Sequence, residues 1–271
     1  MASKSSRLRL AATRFKKLLA SKKDEQAYQD FLERNTEFVP REFVQNHGVH
    51  FGLLLRKLSM ARDYTTDFFF LSKSSSDWNG VLIEIEKPQS RYFKDNSNVF
   101  HNDFVKAQQQ IGRWRAWFSS PENQTGFFNK TLEHVRVPAH MRANPCHIKY
   151  VLVFGRREEF ETNPTRVSLV HAEERDDFKI VSYDSLLEDF GSKSRLYLGV
   201  RKNEFIDIIS DEFLREDMFA WMDPTSIRVS ESFKADALAK RADWFHHGVD
   251  ADGTNYLQME RALPKVRVRS G

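Results

Sequence analysis

Two glutamates spaced two apart, in Val81-Leu-Ile-Glu84-Ile-Glu86-Lys87-Pro88, are the residues whose types and spacing most directly suggest chemistry. In a strand, alternate side chains share a face, so Glu84 and Glu86 point the same way while Val81, Ile83 and Ile85 point the other. Both faces are apolar where the strand begins, which predicts a central strand covered on both sides. Pro88 ends it, because proline cannot continue the ladder. Two carboxylates sharing one face of a buried strand repel each other and lose solvation unless a cation or a proton lies between them. Asp67, expected to open a neighbouring strand, supplies a third oxygen ligand, and three such ligands on rigid strands suit Mg²⁺ or Mn²⁺. The alternative, that Glu84 and Glu86 line the solvent face of an edge strand, sits poorly with the apolar start of the segment.

A second cluster lies in Phe104-Val-Lys-Ala-Gln108-Gln109-Gln110-Ile-Gly-Arg113-Trp-Arg115-Ala-Trp-Phe118. At about 100° per residue, the apolar face of this helix holds Phe104, Ala107, Ile111, Trp114, Trp117 and Phe118. Gln110 falls inside that face, Gln108 at its margin and Gln109 opposite. A buried amide must be hydrogen-bonded, so Gln110 either satisfies backbone groups or supports the acidic site. Arg113 and Arg115 flank the face and could meet phosphates. Glu25 is placed beside Leu32 at the edge of the apolar face of an earlier helix. There it either complements the helix dipole or reaches into a site beneath.

The elements that must position these groups follow from periodicity and punctuation. Asp24 is a candidate N-cap for a helix over 25–35 with Ala27, Tyr28, Phe31 and Leu32 on one face. Strands are predicted over 67–72, 81–86 and 148–154, with Leu53-Leu54-Leu55 a further candidate inside an ambiguous stretch. A fourth strand, 179–183, runs into Asp184-Ser185, expected to cap a short helix carrying Leu186 and Leu187. Helical pattern covers 104–118 and returns over 232–246, and 121–145 reads as a long connection or an irregular insertion. The order is that of a mixed α/β layer fold.

The 271 residues carry a net charge of +4, concentrated at the two ends. Residues 1–23 hold Lys4, Arg7, Arg9, Arg14, Lys16, Lys17, Lys22 and Lys23 and no acid, and Arg261, Lys265, Arg267 and Arg269 close the chain. Basic ends on a nearly balanced middle suggest a polyanionic partner. The N-terminal stretch, with Leu8, Ala11, Ala12, Phe15, Leu18 and Leu19 on one helical face, also fits a targeting segment less well than a structural or nucleic-acid-contacting helix. No apolar run is long enough to span a bilayer. The one cysteine, Cys146, excludes an intrachain disulfide and fits a reducing, cytoplasmic setting. Asp250-Ala-Asp252-Gly253 resembles the opening of a Ca²⁺ loop but lacks its glycine and its closing glutamate. His47 and His50 could approach each other as a metal pair in a suitable turn, but two lone histidines near Gly48 are more often surface loop, and Cys146-His147 has no third partner at useful spacing.

The segments Glu25 to Asn35, Thr66-Asp67-Phe68-Phe69, Glu84-Ile-Glu-Lys-Pro88, Ala107 with Gln110-Ile111 and Trp114, Val153-Phe-Gly-Arg-Arg157 and Val181 to Leu186 occur in an order that resembles the Shedu anti-phage and anti-plasmid nucleases. These are a branch of the PD-(D/E)XK superfamily. The resemblance implies a restriction-endonuclease-like core, a central four-stranded mixed sheet flanked by helices, spanning 24–225 between a basic helical segment at 1–23 and a helical segment with a basic tail at 226–271. It implies that Asp67 and Glu84 are metal ligands, with the motif-lysine position falling on Glu86. Gln110 and Trp114 would match a supporting helix motif, and Glu25 the extra acid on the first helix. Lys87 is adjacent to the lysine position, but strand alternation sends it to the other face unless a bulge intervenes.

The implied activity is metal-dependent cleavage or nicking of DNA in defence against phage or plasmid, with Glu86 accepting a proton or holding a second metal. Arg113, Arg115, Arg156 and Arg157 would contact phosphates, although Arg156 and Arg157 could instead pair with Glu158 and Glu159. The partners expected are DNA and further copies of the chain, through a helical surface around Phe233, Ala237, Leu238 and Trp244. The rival reading is a nucleic-acid-binding or sensing module that keeps the fold without turnover, motivated by glutamate in the lysine position.

Overall fold

A computed structural model describes residues 4–62, 64–135, 143–215, 218, 224–246 and 263–269. The Asp250 turn, Arg261 and the side chain of Trp244 lie outside the described residues. Helices and a large mixed sheet make up the fold. The sheet order is β5-β4-β3-β2-β1-β6-β7-β8-β9. Its strands are β1 (Leu53–Ala61), β2 (Tyr64–Lys73), β3 (Trp78–Ile85), β4 (Cys146–Val153), β5 (Phe178–Val181), β6 (Tyr197–Arg201), β7 (Ile206–Ile208), β8 (Ile227–Val229) and β9 (Arg267–Val268). The sheet is thus wider than the four strands that the resemblance implies. The chain packs as two compact units, each assembled from separated segments.

The first unit comprises Met1–Phe43, Val81–Ser120 and Ile148–Arg195. Helix α1 (Lys4–Ala20) buries Leu8, Ala11, Phe15 and Leu19, a stripe at helical spacing. Phe15 is fully buried, stacked on Phe31 at 4.6 Å and edge-on to Phe38 at 5.3 Å. Arg7 reaches the buried Glu37 carboxylate. The basic segment is therefore part of the packed unit.

Helix α2 (Glu25–Arg34) starts at the expected cap, where Asp24 accepts from the Ala27 N–H at 3.3 Å. Helix α3 (Asn102–Phe118) buries Phe104, Ala107, Ile111, Trp114 and Phe118, while Trp117 is half-buried. Strands β4 and β5 pair in parallel, Tyr150 with Phe178 through Val153 with Val181, and helix α4 (Pro164–Ala172) lies between them in the chain. Parallel neighbours need such a crossover. Ser182, not Asp184, caps the helix Tyr183–Asp189, its hydroxyl accepting from the Ser185 N–H at 3.3 Å. Asp184 is thereby freed to take two arginines.

The second unit comprises Val44–Gly80, Pro121–His147 and Leu196–Gly271. Strands β1 and β2 run antiparallel, β1 and β6 parallel, β6 and β7 antiparallel, and β7 with β8 and β8 with β9 parallel. Gly199 permits the close approach in β6: a Cβ there would lie 3.0 Å from both Ile206 and Leu53 side chains. The stretch expected to be a long connection or an irregular insertion carries a short helix, Pro121–Gly126, and a following turn whose Phe127 meets Phe69 edge-on at 5.6 Å. Helix Glu231–His246 buries Phe233 and Ala237; Phe233 lies 5.7 Å from both Tyr197 and Phe213. Those two positions, expected to face a second copy, are core, and Leu238 is exposed.

Candidate active site

In the first unit every residue of β3 from Val81 to Ile85 is buried, so Glu84 is carried by a covered strand and not by a solvent-facing edge. Glu84 as a residue is 9% exposed. The Gln110 side-chain amide donates to Glu84 Oε1, so the glutamine placed by helical spacing on the inner face of α3 does reach this carboxylate. Gln109 is exposed, and Gln108 donates to Glu173 at 2.7 Å. A carboxylate buried to that depth needs such hydrogen-bond donors.

Glu86 lies one residue past the end of β3 and is half-buried. Its backbone is held from two sides: its N–H donates to the Val153 carbonyl at 2.9 Å, and its carbonyl accepts from the Tyr183 hydroxyl at 2.5 Å. Lys87 is exposed. Glu25 is half-buried in the first turn of α2.

In the second unit Asp67 sits at the fourth position of β2, not at its opening, and is 4% exposed. The pairs Arg56–Phe68 and Leu58–Thr66 bracket it, which sets Lys57 directly across the ladder. The Lys57 ammonium forms an ion pair with Asp67 Oδ1. Lys57 has φ 45° inside a strand, a conformation that L residues adopt at a cost of about 1–3 kcal/mol. No local pattern in the sequence marks Lys57. The available signal was the ladder itself: once β1 is extended to Ala61 antiparallel to β2, the count from either side pairs 57 with 67.

Three of the four arginines expected at phosphates are neutralised within the first unit. Arg115 forms a two-pronged pair with Asp177 at 2.9 and 3.0 Å and lies 5.2 Å over the Tyr150 ring. Arg156 holds Asp184 through Nε and Nη2 at 2.9 and 2.7 Å, and Asp184 also accepts from the Arg157 N–H at 2.8 Å. Gly155, at φ 51°, makes the turn that brings both arginines there; a Cβ on it would lie 2.9 Å from the Ser90 carbonyl. Arg157 pairs with Glu188 at 2.7 Å. The partners are thus Asp184 and Glu188, not the adjacent Glu158 and Glu159. Burial pushes the Asp184 carboxyl up, but the Arg156 and Arg157 hydrogen bonds outweigh it and hold the group below the usual carboxylate range. Arg113 is exposed.

Buried carboxylates on strands are the donor chemistry that a hard divalent cation takes. Glu84 and Asp67 fit in kind, each with a polar or cationic side chain on one oxygen. Among the described residues no three His, Cys, Asp or Glu side chains gather closely enough to hold a metal. No described helix is long and apolar enough to cross a membrane.

No curated protein matches the chain. Residues 22–187 match the family model described as "Shedu protein SduA, C-terminal". That span takes in the α2 cap, Asp67, the Glu84–Gln110 contact, the Gly155 turn and Asp184, which is more than half of the sequence, and the chain belongs to the Shedu family.

Proposed function

We propose that this protein is a defence nuclease that hydrolyses phosphodiester bonds of phage or plasmid DNA, on a core of the PD-(D/E)XK type and with Mg²⁺ or Mn²⁺ as cofactor. The observation that carries the reading is the Glu84–Gln110 contact at the end of a buried strand, within a chain of the Shedu family. A buried carboxylate with a glutamine from the facing helix on one oxygen is an arrangement suited to a ligand whose orientation matters. The mixed sheet with flanking helices supports the core assignment.

In this reading Asp67, Glu84 and Glu86 are the metal-binding carboxylates. Once bound, the ion would lower the pKa of a water and neutralise charge on the phosphate oxygens. Gln110 fixes the rotamer of Glu84 and so orients its carboxylate toward the ion. Lys57 pairs with the Asp67 carboxylate and orients it in its buried position. Glu86, half-buried at a backbone pinned by Val153 and Tyr183, is the group placed to accept a proton. Glu25 and Lys87 would contribute at the margin, Glu25 as a further acid and Lys87 as an exposed cation.

The test is incubation of plasmid and linear DNA with Mg²⁺ or Mn²⁺, against an EDTA control. Metal-dependent cleavage is expected, and Asp67→Ala or Glu84→Ala should abolish it while the far-ultraviolet spectrum is retained. Cleavage by either variant at the parental rate would remove these residues from the site. Two observations favour the rival reading of a binding or sensing module: glutamate stands in the lysine position, and no three-ligand cluster occurs among the described residues. Binding to DNA with no cleavage under any metal would decide for it.

A further inference from the structure

The second unit carries a cleft of about 500 Å³ whose wall runs from β1 across the turn after Phe127 to the end of β6. Its cations are Lys57, Lys130, Arg201 and Lys202, against one acid, Glu133. Lys57 is paired with Asp67, and Glu133 lies 3.2 Å from His134. Among the described residues Lys130, Arg201 and Lys202 have no carboxylate within ion-pair distance, in contrast to the arginines neutralised in the first unit.

Arg201 is the fixed member of the set. Its Nε donates to the Thr131 carbonyl at 2.9 Å and its Nη2 to the Lys130 carbonyl at 3.2 Å, so the guanidinium is locked to the turn that carries Lys130. Its Nη1 is buried with no hydrogen-bond partner among the described residues. Burial lowers the Arg201 pKa and Glu133 opposes this, yet an arginine stays charged at neutral pH. A half-desolvated cation with Glu133 near it but no carboxylate within ion-pair distance is unfavourable, and an anion in the cleft would relieve it.

We propose that this cleft holds the phosphodiester backbone of a DNA strand beside Asp67, with Arg201 as the rigid anchor and Lys130 and Lys202 as the exposed contacts. The proposal rests on the nuclease reading for the choice of DNA, and it identifies the part of the protein that grips it. Apart from Leu58 the lining is charged or polar, with no aromatic side chain, which suits repeated phosphates and offers nothing on which a base would stack. Lys57 spans the two features, since it lines the cleft and pairs with Asp67. A strand lying there would therefore pass next to a proposed ligand.

The experiment uses the full chain and a fluorescein-labelled DNA duplex, with anisotropy titrations in EDTA over a series of salt concentrations. Lys130→Glu/Lys202→Glu alters two exposed side chains, and Lys16→Glu/Lys17→Glu on the exposed face of α1 makes the same change in net charge. The cleft variant should lose at least about tenfold in affinity, with a slope of log K against log salt shallower by about 1.8, the value for two lost phosphate contacts. The α1 variant should lose much less. Parental affinity in the cleft variant, or equal loss in both variants, overturns the proposal, as does tighter cleft-dependent binding of a matching RNA. Thermal melts of both variants at the parental temperature show that the fold is intact. Wild-type cleavage with Mg²⁺ is scored separately: a protein that binds through the cleft without cutting sinks the nuclease reading and leaves the cleft standing.

Discussion

Glu84 and Gln110 come together because two periodicities converge: strand alternation turns Glu84 to one side of β3, and helical spacing turns Gln110 inward on α3. Gln110→Ala should therefore reduce activity by about 10–100-fold, as loss of a group that orients a metal ligand does. Gln110→Glu should move the pH–rate profile upward, because two carboxylates in contact hold a proton to higher pH. A profile unchanged by Gln110→Glu would remove Gln110 from the mechanism. Lys57 offers a second test. Glycine tolerates its left-handed backbone, whereas a β-branched residue does not. Lys57→Gly and Lys57→Val both lose the Asp67 ion pair, so the difference in their urea midpoints isolates the backbone. Valine should be less stable by about 1–3 kcal/mol, and equal midpoints would refute the strain.

Helix α1 is where an element's role departs most from its composition. Its eight-cation neighbourhood suggests a partner outside the protein, but Phe15, Phe31 and Phe38 make it part of the first unit's core. Phe15→Ala should cost about 3–5 kcal/mol by denaturant unfolding; a loss below about 1 kcal/mol would mean that the helix is dispensable to the unit. The Gly155 turn depends on Asp184 in a different way. The Asp184 carboxyl is held below its ordinary pKa of about 3.9. Its stabilisation is therefore complete above that value and is lost as pH falls through the depressed one. Asp184→Asn should lower the melting temperature at neutral pH, with the two proteins converging in acid. A constant gap down to the acid limit would contradict the ion-pair account.

At the scale of the whole molecule, what matters about the charge is where it is left uncompensated. A net +4 says little, and the arginines that stand out in the sequence, Arg115, Arg156 and Arg157, spend their charge on Asp177, Asp184 and Glu188. Arg115→Ala should accordingly depress the melting temperature and leave DNA affinity at moderate salt little changed. A large loss of binding with unchanged stability would show that Arg115 exchanges its carboxylate for phosphate. Lys130, Arg201 and Lys202, which have no ion pair among the described residues, come from segments about 70 residues apart in sequence, and nothing in either segment alone marks them.

What residue order determined by itself is whatever local physics controls. The apolar run of β3 announced a covered strand, Asp24 a helix start, and the spacing of Phe104, Ala107, Ile111 and Trp114 an inward face that includes Gln110. Hydrophobic period and capping are short-range properties, so they survive in the sequence. Tertiary structure decided the rest. Asp67 lies within β2 and not at its start, Ser182 caps where Asp184 was expected, and the three-residue strands β7 and β8 are too short to show any period. The pairing of Lys57 with Asp67, the choice of Asp184 over Glu158 and Glu159, and the basic cleft all depend on strand register and on long-range packing. Those are fixed by which surfaces can be buried together, and no window of neighbouring residues contains that information.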